Sequence, residues 1–190
     1  AMGYAEARSG ALFLTDKMAY ELGLNEAQYD AVYEINFDYL AALGSRGDVA
    51  GSVLSRRNLD LGYVLTAAQY SRLRSLDYFY APARWSGGVV LKVYTRYPDR
   101  SRMYFEAPRT YLTYKGGHGR PGGSASWYKG KSFKSSVRPS KAAGHAAVLK
   151  PSKPAKPSAG KGHAAVAKPS KQAATGTRSH SSGAFRGARK

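Results

Sequence analysis

The chain has 190 residues and a formal net charge of +18, with 30 Lys or Arg against 12 Asp or Glu and no cysteine. The lack of cysteine excludes disulfides, thiolate metal sites and cysteine nucleophiles, and no run of about 18 apolar residues is present that could span a bilayer. The charge is divided unevenly. Residues 1–114 contain all 12 acidic residues and 13 basic ones, whereas residues 115–190 contain 17 basic residues and no acidic one.

This division predicts a folded N-terminal part, which we call the front, and an unfolded C-terminal part. Residues 1–114 are rich in Tyr, Leu, Val and Phe and can bury a core, while residues 115–190 consist mainly of Lys, Ser, Ala, Gly and Pro. We expect a helical domain over residues 1–82, a β-hairpin extension over 83–114 and a disordered basic tail over 115–190. The fold class is thus mainly α, a small helical hairpin or bundle followed by a β-hairpin, with a long disordered basic C-terminal tail. Residues 1–6 lack the pattern of a signal peptide, which leaves earlier export and cleavage allowed but not indicated.

Two nearly identical hexapeptides predict where two helices begin. Each has a capping residue, a Gln three positions later that completes a capping box, and a Leu and a Tyr placed to form a hydrophobic staple. In the first hexapeptide, residues 24–29, these are Leu24, Asn25, Gln28 and Tyr29, with the acidic Glu26 between them, and in the second, residues 65–70, they are Leu65, Thr66, Gln69 and Tyr70.

The predicted elements follow in chain order. A helical turn over residues 16–22 is capped by Thr15 and ended by Gly23, and a helix over 26–43 ends at Gly44. A third helix is expected over 49–61 and a fourth over 67–80, before Pro82. The pattern then changes to β-branched and aromatic residues, which predicts a strand over 89–97, a turn over 98–101, a return strand over 102–106 and a short third strand over 111–114.

The helix over residues 26–43 carries an acidic stripe, which we define as Glu26, Asp30, Glu34 and Asp38. These carboxylates recur every fourth residue and therefore lie side by side on one face. A solvated face is the simplest interpretation. A sharper hypothesis is that the stripe pairs with Arg56, Arg57 or the lysine-rich tail. If the tail binds the stripe, this internal contact competes with the binding of an external anion to the tail.

The doubled signature resembles the paired Leu-Thr-x-x-Gln motif of the Spy/CpxP-like LTxxQ family of small periplasmic helical proteins. The likeness covers residues 14–82 or so, and includes the 41-residue separation of the two boxes and the Arg-containing helix between them. It implies an antiparallel helical hairpin, often dimeric and cradle-shaped, that acts without ATP as an envelope chaperone or stress sensor on unfolded or partner proteins. Three features depart from the family pattern: Asn25 in place of Thr, the predicted β-hairpin and the basic tail.

The tail contains a repeated basic segment. Residues 144–153 recur as residues 162–171 with one change, and prolines at short intervals favour an extended chain. Many cations could then meet a polyanion together, with affinity from counterion release. A solubilising tail without a dedicated partner is the alternative. The predicted anion-binding residues are Lys129, Lys131, Lys134, Arg138, Lys141, Lys150, Lys153, Lys156, Lys161, Lys168 and Lys171.

Two other parts of the tail have more than one interpretation. The glycine-rich residues 116–123 lack the ending of a phosphate-binding loop and predict a flexible hinge. Trp127, Tyr128 and Phe133 alternate with lysines. They could stack on bases or sugars, lie at a lipid interface, or fold back onto the front domain.

No pattern in the chain predicts catalysis, a metal site or a cofactor. All four histidines (His118, His145, His163 and His180) lie in the tail, without an acidic residue nearby in the sequence. Two functions remain. The first is a non-enzymatic periplasmic or cell-envelope protein bound to an anionic surface, such as envelope polysaccharide or lipopolysaccharide. The second is a cytoplasmic, nucleoid-associated protein that binds nucleic acid through its tail and forms dimers through its front.

Overall fold

The computed structural model describes residues 1–119 and 125–143, all within one compact unit. Over these residues the protein is mainly helical with one small antiparallel sheet, as the sequence predicts. Residues 144–190 of the predicted tail lie outside the described residues, and with them the six predicted anion-binding lysines from Lys150 to Lys171. The elements are α1 (Tyr4–Leu22), α2 (Glu26–Ala41), α3 (Ser52–Val64), α4 (Ala67–Ser75), α5 (Asp77–Tyr80), β1 (Ala83–Trp85), β2 (Val89–Leu91) and α6 (Val93–Arg96), with 3₁₀ turns at Arg46–Ala50 and Arg109–Tyr111.

Helix α1 is much longer than the turn predicted over residues 16–22. It is buried on most of its circumference, so its apolar residues form no single stripe that the sequence would reveal. Thr15 does not cap a helix, because its hydroxyl lies in the core and accepts a hydrogen bond from Asn36 Nδ2 at 2.9 Å. At Gly10 a Cβ atom would lie 3.2 Å from the side chains of Leu40 and Leu91, so glycine allows α1 to pack closely against α2 and β2.

The other helices differ from the predictions mainly at their ends. Helix α2 ends at Ala41 rather than at residue 43, and the helix predicted over 49–61 is a 3₁₀ turn followed by α3. The helix predicted over 67–80 is interrupted at Leu76, whose backbone is extended (φ −116°, ψ 100°), and this separates α4 from α5. Leu76 is buried, so the helix is interrupted at a residue of the core.

Both predicted capping boxes are present. Asn25 Oδ1 accepts from the backbone N–H of Gln28 at 2.8 Å, and Gln28 Oε1 accepts from the N–H of Asn25 at 3.0 Å. Thr66 and Gln69 repeat this exchange at the start of α4, at 3.1 and 2.9 Å. Each box satisfies two backbone N–H groups that a helix start leaves without an intrahelical partner.

The two boxes also contact each other, which joins four helices at one point. Gln28 Nε2 donates to Gln69 Oε1 at 2.7 Å, and Gln69 Nε2 donates to Gln28 Oε1 at 3.2 Å. Gln28 also donates to the carbonyl of Val64 at the end of α3, and Gln69 to that of Leu22 at the end of α1. The paired glutamines therefore fasten the starts of α2 and α4 to the ends of α1 and α3.

The strands of the β-hairpin lie earlier in the chain than predicted. Strand β1 pairs with β2 in the register Ala83↔Leu91 and Trp85↔Val89, through a turn in which Gly87 adopts a positive φ of 71°. The predicted return strand over 102–106 and the third strand over 111–114 are wrong. Residues 93–96 form helix α6, and Phe105 instead forms an isolated bridge with Lys141. The signal that the prediction missed was Gly87-Gly88, which supplies the positive φ that a tight turn needs.

Candidate functional site

The acidic stripe of α2 is covered by a later segment of the chain, residues 109–119, which we call the covering segment. Arg109 begins this contact at the start of the helix. Its side chain lies 2.8 Å from Asp30 and 4.0 Å from Glu26, and its backbone N–H donates to Asp30 at 2.9 Å. The covering segment then follows α2 towards its C-terminal end, with the ring of Tyr111 5.6 Å from that of Tyr33.

Asp38, the last residue of the stripe, is bound by a cradle of neutral donors. Its carboxylate accepts from the backbone N–H of Gly117 at 3.2 Å, from that of Gly119 at 2.6 Å, and from the Tyr114 hydroxyl. Gly116 and Gly117 have φ values of 106° and 117°, which favour glycine, and a Cβ atom at Gly119 would lie 2.9 Å from Asp38 Cβ. Residues 116–119 of the hinge predicted over 116–123 are thus not free, because they form a carboxylate-binding turn, and residues 120–123 lie outside the described residues.

Glu34 lies at the centre of a cluster of polar and aromatic side chains. His118 Nδ1 lies 2.9 Å from Glu34 Oε1, and the Tyr128 hydroxyl donates to the same oxygen at 3.0 Å. Trp127 stacks on the His118 ring at 4.0 Å between centroids. Burial raises the pKa of Glu34, and the hydrogen bonds from His118 and Tyr128 oppose that rise. Burial also raises the pKa of Tyr128, with Glu34 adding to the effect.

The hypothesis that the stripe binds other parts of the chain is confirmed, but the partners named for it in the helical domain, Arg56 and Arg57, are wrong, and pairing with the lysines after residue 143 lies outside the described residues. Arg57 is fully buried elsewhere, donating to Asn36 at 2.9 Å and to Asn58 at 2.9 Å, and burial lowers its pKa to about 10. Arg56 lies 3.7 Å from Asp60. The partners that were missed are Arg109, Tyr114, His118 and Tyr128. They lie more than 70 residues from the stripe in sequence, so no local pattern could have indicated them.

Residues 125–143, which we call the strap, also pack on the helical domain. The N–H of Glu26 donates to the carbonyl of Val137 at 2.8 Å, and Asn25 Nδ2 donates to that of Phe133 at 2.9 Å. Arg138 donates to the carbonyl of Gly23. The strap ring of Tyr128 is buried. The prediction that the tail begins at residue 115 is therefore wrong, and the interpretation in which the aromatic patch folds back applies to Tyr128.

The cations of the strap are placed differently from its aromatic residues. Its five basic residues are all exposed, and none forms an ion pair with a carboxylate in the described part of the chain. Lys131 lies 4.4 Å from the centre of the Trp127 ring, and Trp127 is 48% exposed. The strap thus carries a row of exposed cations, of which Arg138 also donates to the carbonyl of Gly23, and its basic residues are Lys129, Lys131, Lys134, Arg138 and Lys141.

A buried ion pair fixes the loop after α6 to α1. Lys17 Nζ lies 2.7 Å from Asp16 and donates to the carbonyl of Arg102 at 2.6 Å, while Asp16 accepts from the N–H groups of Tyr104 and Phe105 at 2.9 and 2.8 Å. Burial raises the pKa of Asp16 and lowers that of Lys17, although each opposes the shift of the other. A cavity of about 140 Å³ adjoins Lys17. Because these contacts join α1 to the loop, the role of the buried pair is structural: it anchors the loop to the helix.

The described residues offer no further centre that would indicate chemistry. Within residues 1–119 and 125–143, no three His, Asp or Glu side chains are grouped so as to hold a metal ion. None of the described helices is long and apolar enough to cross a bilayer. Comparisons with protein-family models, with curated proteins and with solved structures found no match.

Proposed function

We propose that this is a non-enzymatic cell-envelope protein that attaches through its basic C-terminal part to an anionic polymer, such as an acidic polysaccharide or lipopolysaccharide. The observation that supports this is the contrast between the stripe and the strap. The carboxylates of the acidic stripe are bound by Arg109 and by neutral donors, whereas the strap cations have no carboxylate partner in the described part of the chain.

This arrangement leaves the positive charge of the strap available to a partner. Lys129 to Lys141 hold five cations within 13 residues, and residues 115–143 contain no Asp or Glu. A polymer that meets such a row releases condensed counterions from itself, which favours binding without any specific contact. The sequence adds ten more basic residues and no acidic one over residues 144–190. Affinity for a polyanion therefore requires no rearrangement of the helices.

The envelope location rests on the resemblance to the LTxxQ family. That resemblance consists of the two boxes, and in this chain they contact each other, because Gln28 and Gln69 exchange hydrogen bonds across 41 residues of sequence. Fractionation of the native cells by osmotic shock tests the location. We expect the protein in the periplasmic fraction, and recovery with the nucleoid would contradict the proposal.

Binding to an immobilised acidic polysaccharide tests the attachment itself. We expect full-length protein to bind heparin and not neutral dextran, and the variant K129Q/K131Q/K134Q to bind at least about fivefold more weakly. The matched control R46Q/R74Q/R84Q removes three exposed cations that lie outside the strap and is expected to bind nearly as wild type does. Equal losses in the two variants would contradict a role for the strap, and absence of wild-type binding would contradict the function.

Nucleic acid is a second candidate partner, favoured by one observation. Trp127 is half exposed, lies against Lys131 and stacks on His118, which is a combination of aromatic face and cation that suits an unpaired base. Titration with a single-stranded oligonucleotide is expected to quench Trp127 fluorescence in this case. A Trp127→Phe variant assigns the signal, since the second tryptophan, Trp85, lies in β1. Tighter binding to the oligonucleotide than to heparin would favour this function over the first.

The resemblance also implies chaperone-like activity, which stays a prediction. If it exists, the variant K129Q/K131Q/K134Q is expected to suppress the aggregation of a heat-denatured protein as well as wild type does, because these cations belong to the attachment function. Light scattering measures this directly.

A further inference from the structure

A groove of about 600 Å³ lies where the strap passes the two capping boxes. Asn25, Thr66 and Tyr63 line its helical side, and Lys131 and Lys134 line the strap side. No acidic residue is among the described residues that line it. Its volume falls within the range of small-molecule binding sites, and its charge is complementary to an anion.

The groove is held in shape by hydrogen bonds on both of its sides. Asn25 Nδ2 donates to the carbonyl of Phe133, and the N–H of Glu26 donates to that of Val137. The capping boxes on the opposite side are fixed by the Gln28–Gln69 contact. A ligand would therefore meet a preformed site, which lowers the entropy cost of binding.

The lining combines cations with neutral hydroxyl groups. Thr66 Oγ1 and Ser135 Oγ each accept a hydrogen bond from a backbone N–H, which leaves their O–H groups able to donate. Ser132 also lines the groove, and Tyr63 is 39% exposed there. Neutral hydroxyl groups match the hydroxyls of a sugar, which an acidic peptide lacks, and a tyrosine ring can pack on the apolar face of a sugar ring.

We propose that this groove recognises a short stretch of an acidic polysaccharide. Lys131 and Lys134 would bind the carboxylate or sulfate groups, and Tyr63 would pack against a sugar ring. The inference rests on the proposed function and makes it more specific. Bulk charge attaches the protein to a polyanion, and the groove selects polymers that are built of sugars.

Two double variants of the full-length chain separate the groove from bulk charge. K131Q/K134Q removes two cations that line the groove, and K129Q/K141Q removes two exposed strap cations that do not. Isothermal titration with a heparin hexasaccharide is expected to show a loss of about tenfold in affinity for K131Q/K134Q and less than about threefold for K129Q/K141Q. With linear polyphosphate, which has no sugar, the two variants are expected to weaken equally. Thermal unfolding of both variants confirms that they are folded.

The outcomes distinguish this inference from the proposed function. Equal losses in the two variants with the hexasaccharide would overturn the groove assignment while leaving polyanion binding intact. Failure of the wild-type protein to bind either probe would overturn the proposed function. If polyglutamate also loses more affinity for K131Q/K134Q than for K129Q/K141Q, the groove takes an acidic peptide. This too would overturn the inference. A Tyr63→Ala variant is expected to weaken hexasaccharide binding and to leave polyphosphate binding unchanged.

Discussion

The acidic stripe of α2 and the cationic strap carry opposite charges on one chain, yet the strap cations do not pair with the stripe. Glu34 and Asp38 are bound by tyrosine hydroxyls, a histidine and glycine N–H groups, and within residues 1–119 and 125–143 Arg109 is the one residue that brings a guanidinium to the stripe. The strap crosses the start of the same helix with its cations exposed to solvent. The difference shows that a chain can satisfy a carboxylate such as Asp38 with hydrogen-bond donors that carry no charge, so that its lysines are not needed for that purpose.

The largest expected effect comes from removing the carboxylate at the end of the stripe. Asp38→Ala leaves the N–H groups of Gly117 and Gly119 and the Tyr114 hydroxyl without their acceptor. We expect the free energy of unfolding to fall by about 2 kcal/mol. Urea denaturation measures this. The control Glu106→Ala removes an exposed carboxylate and is expected to change stability by less than about 0.5 kcal/mol. Equal stability of the two variants would mean that the cradle around Asp38 contributes nothing.

A smaller effect is expected from crowding the same cradle. A Cβ atom at Gly119 would lie 2.9 Å from Asp38 Cβ, so Gly119→Ala must displace the covering segment. We expect a loss of about 1 kcal/mol. Gly88→Ala is the matched control, since nothing lies within 4 Å of the Cβ position there. Faster amide exchange at residues 114–119 in Gly119→Ala alone would locate the change, and unaltered exchange would contradict it.

The free energy of unfolding of the protein also depends on pH through Glu34. Because burial raises the pKa of its carboxyl, the ionised form costs stability in the folded state. The stabilising contribution is complete below the unfolded-state pKa and is lost as the pH rises through the folded-state value. We therefore expect the free energy of unfolding of wild type, relative to Glu34→Gln, to increase as the pH falls from roughly 7.5 to 4.5.

This comparison isolates Glu34, because the other carboxyls with a raised pKa, Asp16 and Asp60, are present in both proteins. Repeating the pair of measurements in a His118→Asn background separates the carboxyl from its imidazole partner. A difference that stays constant or decreases as the pH falls would contradict the assigned direction.

The smallest expected effect on stability is that of neutralising the strap. Lys129, Lys131 and Lys134 are exposed and form no ion pair in the described part of the chain, so their replacement by Gln should change the free energy of unfolding by less than about 0.5 kcal/mol. A loss as large as that of Asp38→Ala would mean that these cations stabilise the fold.

The sequence revealed those features that depend on neighbouring residues. Both capping boxes were predictable because the cap and the Gln lie three positions apart in sequence. At the start of a helix this spacing lets each side chain reach the backbone N–H of the other residue. Their contact with each other was not predictable in the same way. It joins Gln28 to Gln69 through the packing of four helix ends. The predicted staples, Leu24 with Tyr29 and Leu65 with Tyr70, stay predictions.

Features that depend on distant contacts were missed. Helix α1 lacks a clear stripe because other elements surround it, and Asp16 and Lys17, adjacent in sequence, gave no sign of a buried pair. Composition assigned residues 115–143 to a tail because they contain no acidic residue. The acidic partners that hold Tyr128 and the glycine turn are Glu34 and Asp38, on α2. The net charge of a segment takes no account of the residues on the surface against which the segment packs.

The salt dependence of polyanion binding tests the central claim most directly. If the strap cations contact the polymer, the logarithm of the heparin affinity falls linearly with the logarithm of the salt concentration. The slope for K129Q/K131Q/K134Q is then shallower than that of wild type by roughly 2 to 3, while the urea midpoints of the two proteins coincide. An unchanged slope, or a lowered urea midpoint, would contradict the account, because the cations would then serve the fold and not the partner.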